Sequence, residues 1–211
     1  MTLVVFDVDG VLLDVAEGGF ILLAKAIGKE KEVAELHAEY EKRKDQGPWG
    51  LDQLASMFNG QNPQALLEHS RRICKNHIMP GAVETVDELR KRGYAIAFYS
   101  SNPIIVLEAL KEIIPCDFMC GNGLEITKNV CTGRLSDKVD RYEKAKRLEQ
   151  LIAQLMLKKD EVYIIGDSIT DLPMAQNGRF ISFNSHNAEV DASAEFVIKN
   201  KELREVLKYV A

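Results

Sequence analysis

The chain opens on an uninterrupted apolar run, Leu3 to Phe6, that stops abruptly at Asp7 and Asp9 and is followed by Gly10. With β-branched Val4 and Val5 and no polar alternation, the run predicts a central strand of a parallel sheet covered on both faces. From about residue 15 the period changes. "EGGFILLAKAIGKEKEVAELHAEYEKRKD" spaces its apolar residues at helical intervals, and the Lys and Glu positions at 29–45 read as a solvated helix face. "QGPWG" breaks the pattern, "LDQLASMFNG" predicts a short helix, and "NPQALLEHSRRICKNHI" a longer one with Asn62 as N-cap and Pro63 at the first helical position. A helix from Pro80 to about Arg92, stopped by Gly93, then leads into the apolar strand Tyr94 to Tyr99. "CDFMCGNGLEI" predicts a short strand and a turn, with "GNG" at 121–123 as the turn, and "NVCTGRL" half of a small hairpin. A long helix follows over about Lys138 to Met156, then the strands "EVYIIGD", "RFISFN" and "EFVIK", and a closing helix "NKELREVLKYV". Strands alternating with helices predict an α/β fold with a doubly wound parallel sheet. The helical stretch at 15–78 reads as an insertion into a core made of 1–14 and 79–211.

Three of the strands end in polar groups: Asp7 and Asp9, then Ser100, then Gly166, Asp167 and Asp171. In a parallel sheet these ends share one rim, the rim where open α/β sheets bind ligands. Asp7 and Asp9, two apart in extended chain, project together. Two carboxylates about 4 Å apart repel by roughly 4 kcal/mol at an effective dielectric of 20, so the pair asks for a cation or a shared proton. Asp171 can join them if the helix after this strand begins near Ser168 or Ile169, one turn from Asp167. Hard oxygen donors of this kind suit Mg²⁺ rather than zinc.

Composition narrows the partners. The 211 residues carry 27 Lys plus Arg against 32 Asp plus Glu, a net charge of -5, which argues against nucleic acid and leaves any anion dependent on local charge. The apolar start is interrupted by Asp7 and Asp9 and lacks a basic leader, and no apolar run is long enough to span a bilayer, so a cytoplasmic protein is expected. Cys74, Cys116, Cys120 and Cys131 form no C-x-x-C pair and read as reduced, buried thiols. His37, His69, His77 and His186 have no ligand spacing and read as surface or structural; Trp49 reads as a packed side chain in preference to a residue closing over a substrate.

"DVDG" after the first strand, Ser100, a lysine ahead of the next strand and "GDSITD" after it resemble, in order, the four motifs of the haloacid dehalogenase-like superfamily of phosphohydrolases. The helical insertion and "PGAVETVDELRKRGYAIAFYS" are similar to its phosphoserine phosphatase branch, which carries a small helical cap. The resemblance implies that Asp7 is a nucleophile forming an aspartyl-phosphate and Asp9 a general acid and then base. It implies Mg²⁺ held by Asp7, the backbone carbonyl of Asp9 and Asp167, with Asp171 supporting the site through water or Lys144. Ser100 would bond a phosphoryl oxygen and a lysine would neutralise its charge. Lys138, Lys144 and Lys146 compete for that role; Leu148 and Leu151 mark the inward face of Lys144, and Lys146 lies about 200° around the helix from it.

The substrate-side residues expected from the resemblance are Gly10, Glu17, Ser101 and Asn102. Glu17 sits one position from the spacing of the branch's substrate glutamate, "LDQLASMF" offers no cap arginine, and Ser101 replaces the branch's usual glycine. The reading is therefore a phosphatase acting on a small phosphorylated metabolite. A phosphomutase uses the same nucleophile. A two-component receiver or another non-catalytic phosphate- and Mg²⁺-binding module is opposed by Asp7 on the first strand and by "GDSITD", and a dehalogenase by the retained aspartates. Oligomeric state is not legible.

Overall fold

The computed structural model describes residues 1–43, 46 and 48–210. Lys44 and Asp45, the end of the charged run, and Gly47 of "QGPWG" lie outside them. Seven strands form one sheet: β1 (Leu3–Phe6), β2 (Ala95–Pro103), β3 (Phe118–Thr127), β4 (Val130–Asp137), β5 (Val162–Gly166), β6 (Arg179–Phe183) and β7 (Phe196–Ile198), in the order β4-β3-β2-β1-β5-β6-β7. Every neighbouring pair is parallel except β3 with β4. The expected doubly wound sheet is present, with an antiparallel edge.

β1 is the central strand. Its alternate residues enter two cores, Val4 and Phe6 on one face and Leu3 and Val5 on the other, all fully buried. Each such side chain contributes about 1.5–3 kcal/mol, so the strand is anchored well beyond the repulsion of the carboxylates at its end. Phe6 is level with Phe98 of β2 and Ile165 of β5. That register brings Asp7, Ser100 and Asp167 to one rim.

Helices α1 (Gly19–Ala26), α2 (Glu30–Arg43), α3 (Leu51–Ser56) and α4 (Pro63–His77) form the stretch between β1 and α5 (Ala82–Lys91). Only Val33 of α2 is buried, as its charged sequence requires. Asn62 caps α4, accepting from Gln64 and Ala65. The stretch enters and leaves on paired backbone: Asp14 N donates to His77 O at 2.7 Å and Met79 N to Leu12 O at 2.9 Å. It also rests on the β3–β4 hairpin, where Gly60 N donates to Cys131 O and Cys131 N to Gln61 O, each at 2.9 Å. Among the described residues no helix is long and apolar enough to cross a membrane. All four cysteines are free and buried.

Three expectations are corrected. "GNG" at 121–123 lies within β3, not in a turn; the hairpin turns at Lys128 and Asn129, whose φ of 51° and 61° give the strand-compatible twist. A Cβ on Gly121 would lie 2.9 Å from Asn102 O, so this glycine permits close approach of β2. The closing segment is a 3₁₀ helix, Leu203–Lys208, with Leu203 and Val206 buried against the core. Finally, β2 continues past Tyr99 to Pro103, with its pairing to β3 shifted between those residues. Ser100 therefore sits at an irregularity within the strand, and α6 (Ile104–Lys111) follows directly.

Candidate active site

The loop after β1 is folded on itself: Leu12 N and Leu13 N donate to Val8 O at 2.9 and 2.8 Å, and Gly10 N to Leu13 O at 2.8 Å. Gly10 has φ 76°, and a Cβ there would lie 2.1 Å from Asp167 Oδ2. Glycine is thus required both by conformation and by the contact between the β1 and β5 loops. Asp7 is 6% exposed, and its Oδ1 accepts from Lys144 Nζ at 2.8 Å. Lys144 comes from the first turn of α7 (Arg141–Gln154), capped by Asp140, and is 2% exposed; its Nζ also donates to Asp171 Oδ1 at 2.9 Å.

Asp171 reaches the site by a route other than the expected helical turn. α8 spans only Leu172–Ala175, with Asp171 at its N-cap position, and residues 168–171 form a tight turn in which Asp171 N donates to Ser168 O at 3.0 Å. Asp171 Oδ2 accepts from Asp167 N at 3.2 Å and Ser168 N at 3.3 Å, so the side chain closes the loop that presents Asp167. A Cβ on Gly166 would lie 2.6 Å from that of Asp171, which explains a glycine at the end of β5.

Asp9 stands apart from this cluster. Its Oδ1 accepts from Gly19 N and from Asn102 Nδ2, both at 3.0 Å, and Asn102 Oδ1 accepts from Phe20 N at 2.8 Å. Asn102 N in turn donates to Ser100 Oγ at 3.1 Å. Asn102, expected to touch substrate, is buried and joins Asp9 to the start of α1. A Cβ on Gly19 would lie 2.9 Å from Asn102 Nδ2, so the glycine admits this bridge.

Burial, with Asp171 second, holds the Asp7 carboxyl well above its usual range, although Lys144 opposes both. Burial likewise raises Asp9, against the two hydrogen bonds it accepts. Asp167 is pushed up to about 7 by burial and by the charges of Asp171 and Asp9. Burial works against charge on Lys144, but Asp171 and Asp7 outweigh it and raise its pKa. Among the described residues, the site holds more negative charge than Lys144 balances.

The family model for haloacid dehalogenase-like hydrolases matches residues 4–176, from β1 to just past α8. The chain belongs to that family. A phosphoserine phosphatase of Methanocaldococcus jannaschii is 25% identical to this hydrolase over 210 residues, 99% of this chain and 97% of the relative. Another, of Archaeoglobus fulgidus, is 28% identical over 197 residues, and there the match spans 90% of this chain but only 55% of the relative. Among solved structures, apo phosphoserine phosphatase superposes with a TM-score of 0.81 at 23% identity, covering 100% of this chain and 99% of the other. A phospho-aspartyl intermediate analogue of phosphoserine phosphatase gives 0.81 at 24%, covering 100% and 99%. These likenesses establish a shared fold.

Within this haloacid dehalogenase-like fold, carboxylate oxygens of Asp7, Asp167 and Asp171 lie within 4.8 Å of one another. Lys144 pairs with two of the three, leaving Asp167 without an ion pair among the described residues. Excess charge, hard oxygen donors and a carboxylate without a counter-ion fit a small divalent cation such as Mg²⁺. The Asp9 side chain is not part of this group.

A cavity of about 270 Å³ opens over the rim, lined by Asp7, Asp9, Ser100, Lys144 and Asp167, and on its outer side by Glu17, Ser101 and Thr170. Glu17 Oε2 accepts from Lys25 Nζ at 2.5 Å, so its charge is already matched. Lys146 is 63% exposed and pairs with Glu143; Lys138 pairs with Asp52. Of the three candidate lysines only Lys144 reaches the aspartates. None of the four histidines lines this cavity. Trp49 is half-buried beneath Arg43, whose guanidinium carbon lies 4.7 Å from the ring centroid. Asn102 is expected from the sequence, but at the substrate and not as a bridge to α1; the places of Gly19 and Thr170 carry no spacing that distinguishes them from loop residues.

Proposed function

We propose that this haloacid dehalogenase-like hydrolase is a Mg²⁺-dependent phosphatase that hydrolyses a small phosphomonoester through a covalent aspartyl-phosphate on Asp7. The supporting observation is the contrast between two carboxylates on one short segment: Asp7 on Lys144, Asp9 on Asn102 and Gly19. Separate environments allow separate protonation states, which a nucleophile and a general acid need.

In this reading an Asp7 carboxylate oxygen attacks phosphorus, and the bond from phosphorus to the substrate oxygen breaks. Asp9, its proton favoured by burial, gives that proton to the departing oxygen. The product alcohol leaves, and Asp9, now a carboxylate, takes a proton from water as the water oxygen attacks phosphorus and the bond from phosphorus to the Asp7 oxygen breaks. Inorganic phosphate departs and Asp7 is restored. Ser100 Oγ bonds a phosphoryl oxygen, and Lys144 offsets charge while fixing the Asp7 rotamer. Mg²⁺, held by Asp7, Asp167 and the Asp9 backbone carbonyl, would neutralise phosphoryl oxygens and let Asp7 remain ionised. Asp171, with one oxygen on Lys144 and the other on backbone amides, acts by holding the lysine and the Asp167 loop. Residues 15–78 serve as a cap over a core of 1–14 and 79–211, limiting the cavity to small metabolites.

The test is release of inorganic phosphate from a panel of small phosphomonoesters. Release with Mg²⁺ that stops on adding EDTA supports the reading; folded, Mg²⁺-binding protein that releases none contradicts it.

A further inference from the structure

The cavity over the aspartates continues outward. A second cavity of about 140 Å³ shares Ser101 and Thr170 with it and runs between Trp49 and Tyr40 of the helical stretch and Asp140 and Arg141 at the start of α7. Substrate whose phosphoryl group lies on Asp7 has this space for the rest of its body.

Two charged side chains line that space, Arg141 and Asp140. Arg141 has no ion pair among the described residues, and its Nε is buried without a hydrogen-bond partner; its guanidinium carbon lies 5.2 Å from the Tyr142 ring centroid. Asp140, its neighbour in the wall, spends Oδ1 on Tyr142 N and Glu143 N as the cap of α7. A half-buried guanidinium that lines a cavity and has no ion pair among the described residues is suited to a planar anion. On the other side, Glu17 already carries Lys25 and offers no unmatched charge to a substrate ammonium.

Resting on the phosphatase reading, we propose that Arg141 is a specificity-determining residue. It receives the carboxylate of a phosphorylated hydroxy acid whose carbon body lies against Trp49, and the site needs no amino group on the substrate.

Three probes separate the parts: 3-phosphoglycerate, sn-glycerol 3-phosphate, which replaces the carboxylate by an alcohol, and O-phosphoserine, which replaces the 2-hydroxyl by an ammonium. The expected kcat/KM for 3-phosphoglycerate exceeds that for glycerol 3-phosphate by about tenfold or more and is no lower than that for phosphoserine. Arg141→Gln should lower the acid-to-alcohol ratio by about tenfold or more, mainly through KM, and Arg141→Lys should recover part of it. Lys146→Gln, which removes a charge from the exposed side of the same helix, should leave the ratio unchanged. An unchanged ratio in Arg141→Gln, or a phosphoserine preference above about tenfold, overturns the proposal while phosphate release persists. Absence of release from all three probes and from para-nitrophenyl phosphate would instead count against the phosphatase reading itself.

Discussion

Asn102 Nδ2 lies 3.0 Å from Asp9 Oδ1, and the same Asn102 side chain accepts from Phe20 N at 2.8 Å. One amide therefore ties the aspartate after β1 to the first helix of the inserted stretch. If Asp9 is the acid, Asn102 acts through it as a positioning residue. Asn102→Ala should lower kcat/KM for an alkyl phosphomonoester by about tenfold or more, since general acid catalysis contributes on the order of 10²–10⁴. para-Nitrophenyl phosphate, whose leaving group needs little protonation, should lose about threefold or less. Equal losses on both substrates would assign Asn102 a purely structural part.

Lys144 joins Asp7 to Asp171 with all three side chains buried. Removing one partner of a buried ion network leaves uncompensated charge and typically costs about 3–5 kcal/mol. Lys144→Ala should therefore lower stability by that order in EDTA, recover part of it with Mg²⁺, and lose activity by about a hundredfold or more. Denaturant unfolding with and without Mg²⁺ measures the first two; stability unaffected in EDTA would contradict the assignment.

Gly10 combines a left-handed φ of 76° with contact to Asp167. Gly10→Ala imposes a left-handed conformation worth about 1–2 kcal/mol and drives its Cβ into the Asp167 carboxylate. The expected result is a lower unfolding midpoint together with weaker Mg²⁺ binding by calorimetry. Wild-type Mg²⁺ affinity in this variant would show that the β1 and β5 loops do not form a single site.

The raised carboxyls set a pH dependence. Asp167 moves from 3.8 to about 7 on folding, so between those values the folded protein binds a proton that the unfolded chain has released. Stability of metal-free protein must then fall as pH rises through that window. Asp7 and Asp9, raised as well, act in the same direction. Unfolding midpoints in EDTA should decline from pH 5 to pH 7.5, and Asp167→Asn or saturating Mg²⁺ should flatten the decline. A metal-free midpoint that rises across this range would refute the electrostatic picture.

Most of the framework was legible because it rests on local patterns. The apolar run before Asp7, the capping Asn62 and the leucines following Lys144 each announce an element or a face, and the structure has them there. The misread parts depend on tertiary packing. "GNG" resembles a turn, yet its glycines serve close approach between strands. The closing segment has a helical composition, yet it winds as a 3₁₀ helix against the core. Asp171 looked like a residue one helical turn along; it is instead the closure of a four-residue loop. Asn102 is expected at the substrate and Arg141 is an ordinary polar residue in sequence; the bridge made by the first and the cavity lined by the second follow only from what the fold sets beside them.

The most direct test of the account is the covalent step on Asp7. Enzyme quenched in acid during turnover of a phosphomonoester labelled at phosphorus should carry a label released by hydroxylamine and mapping to the peptide that contains Asp7. Asp9→Asn should accumulate that label, and Asp7→Asn should remain folded, carry none and release no phosphate. Turnover by Asp7→Asn, or a label on any other residue, would contradict the mechanism.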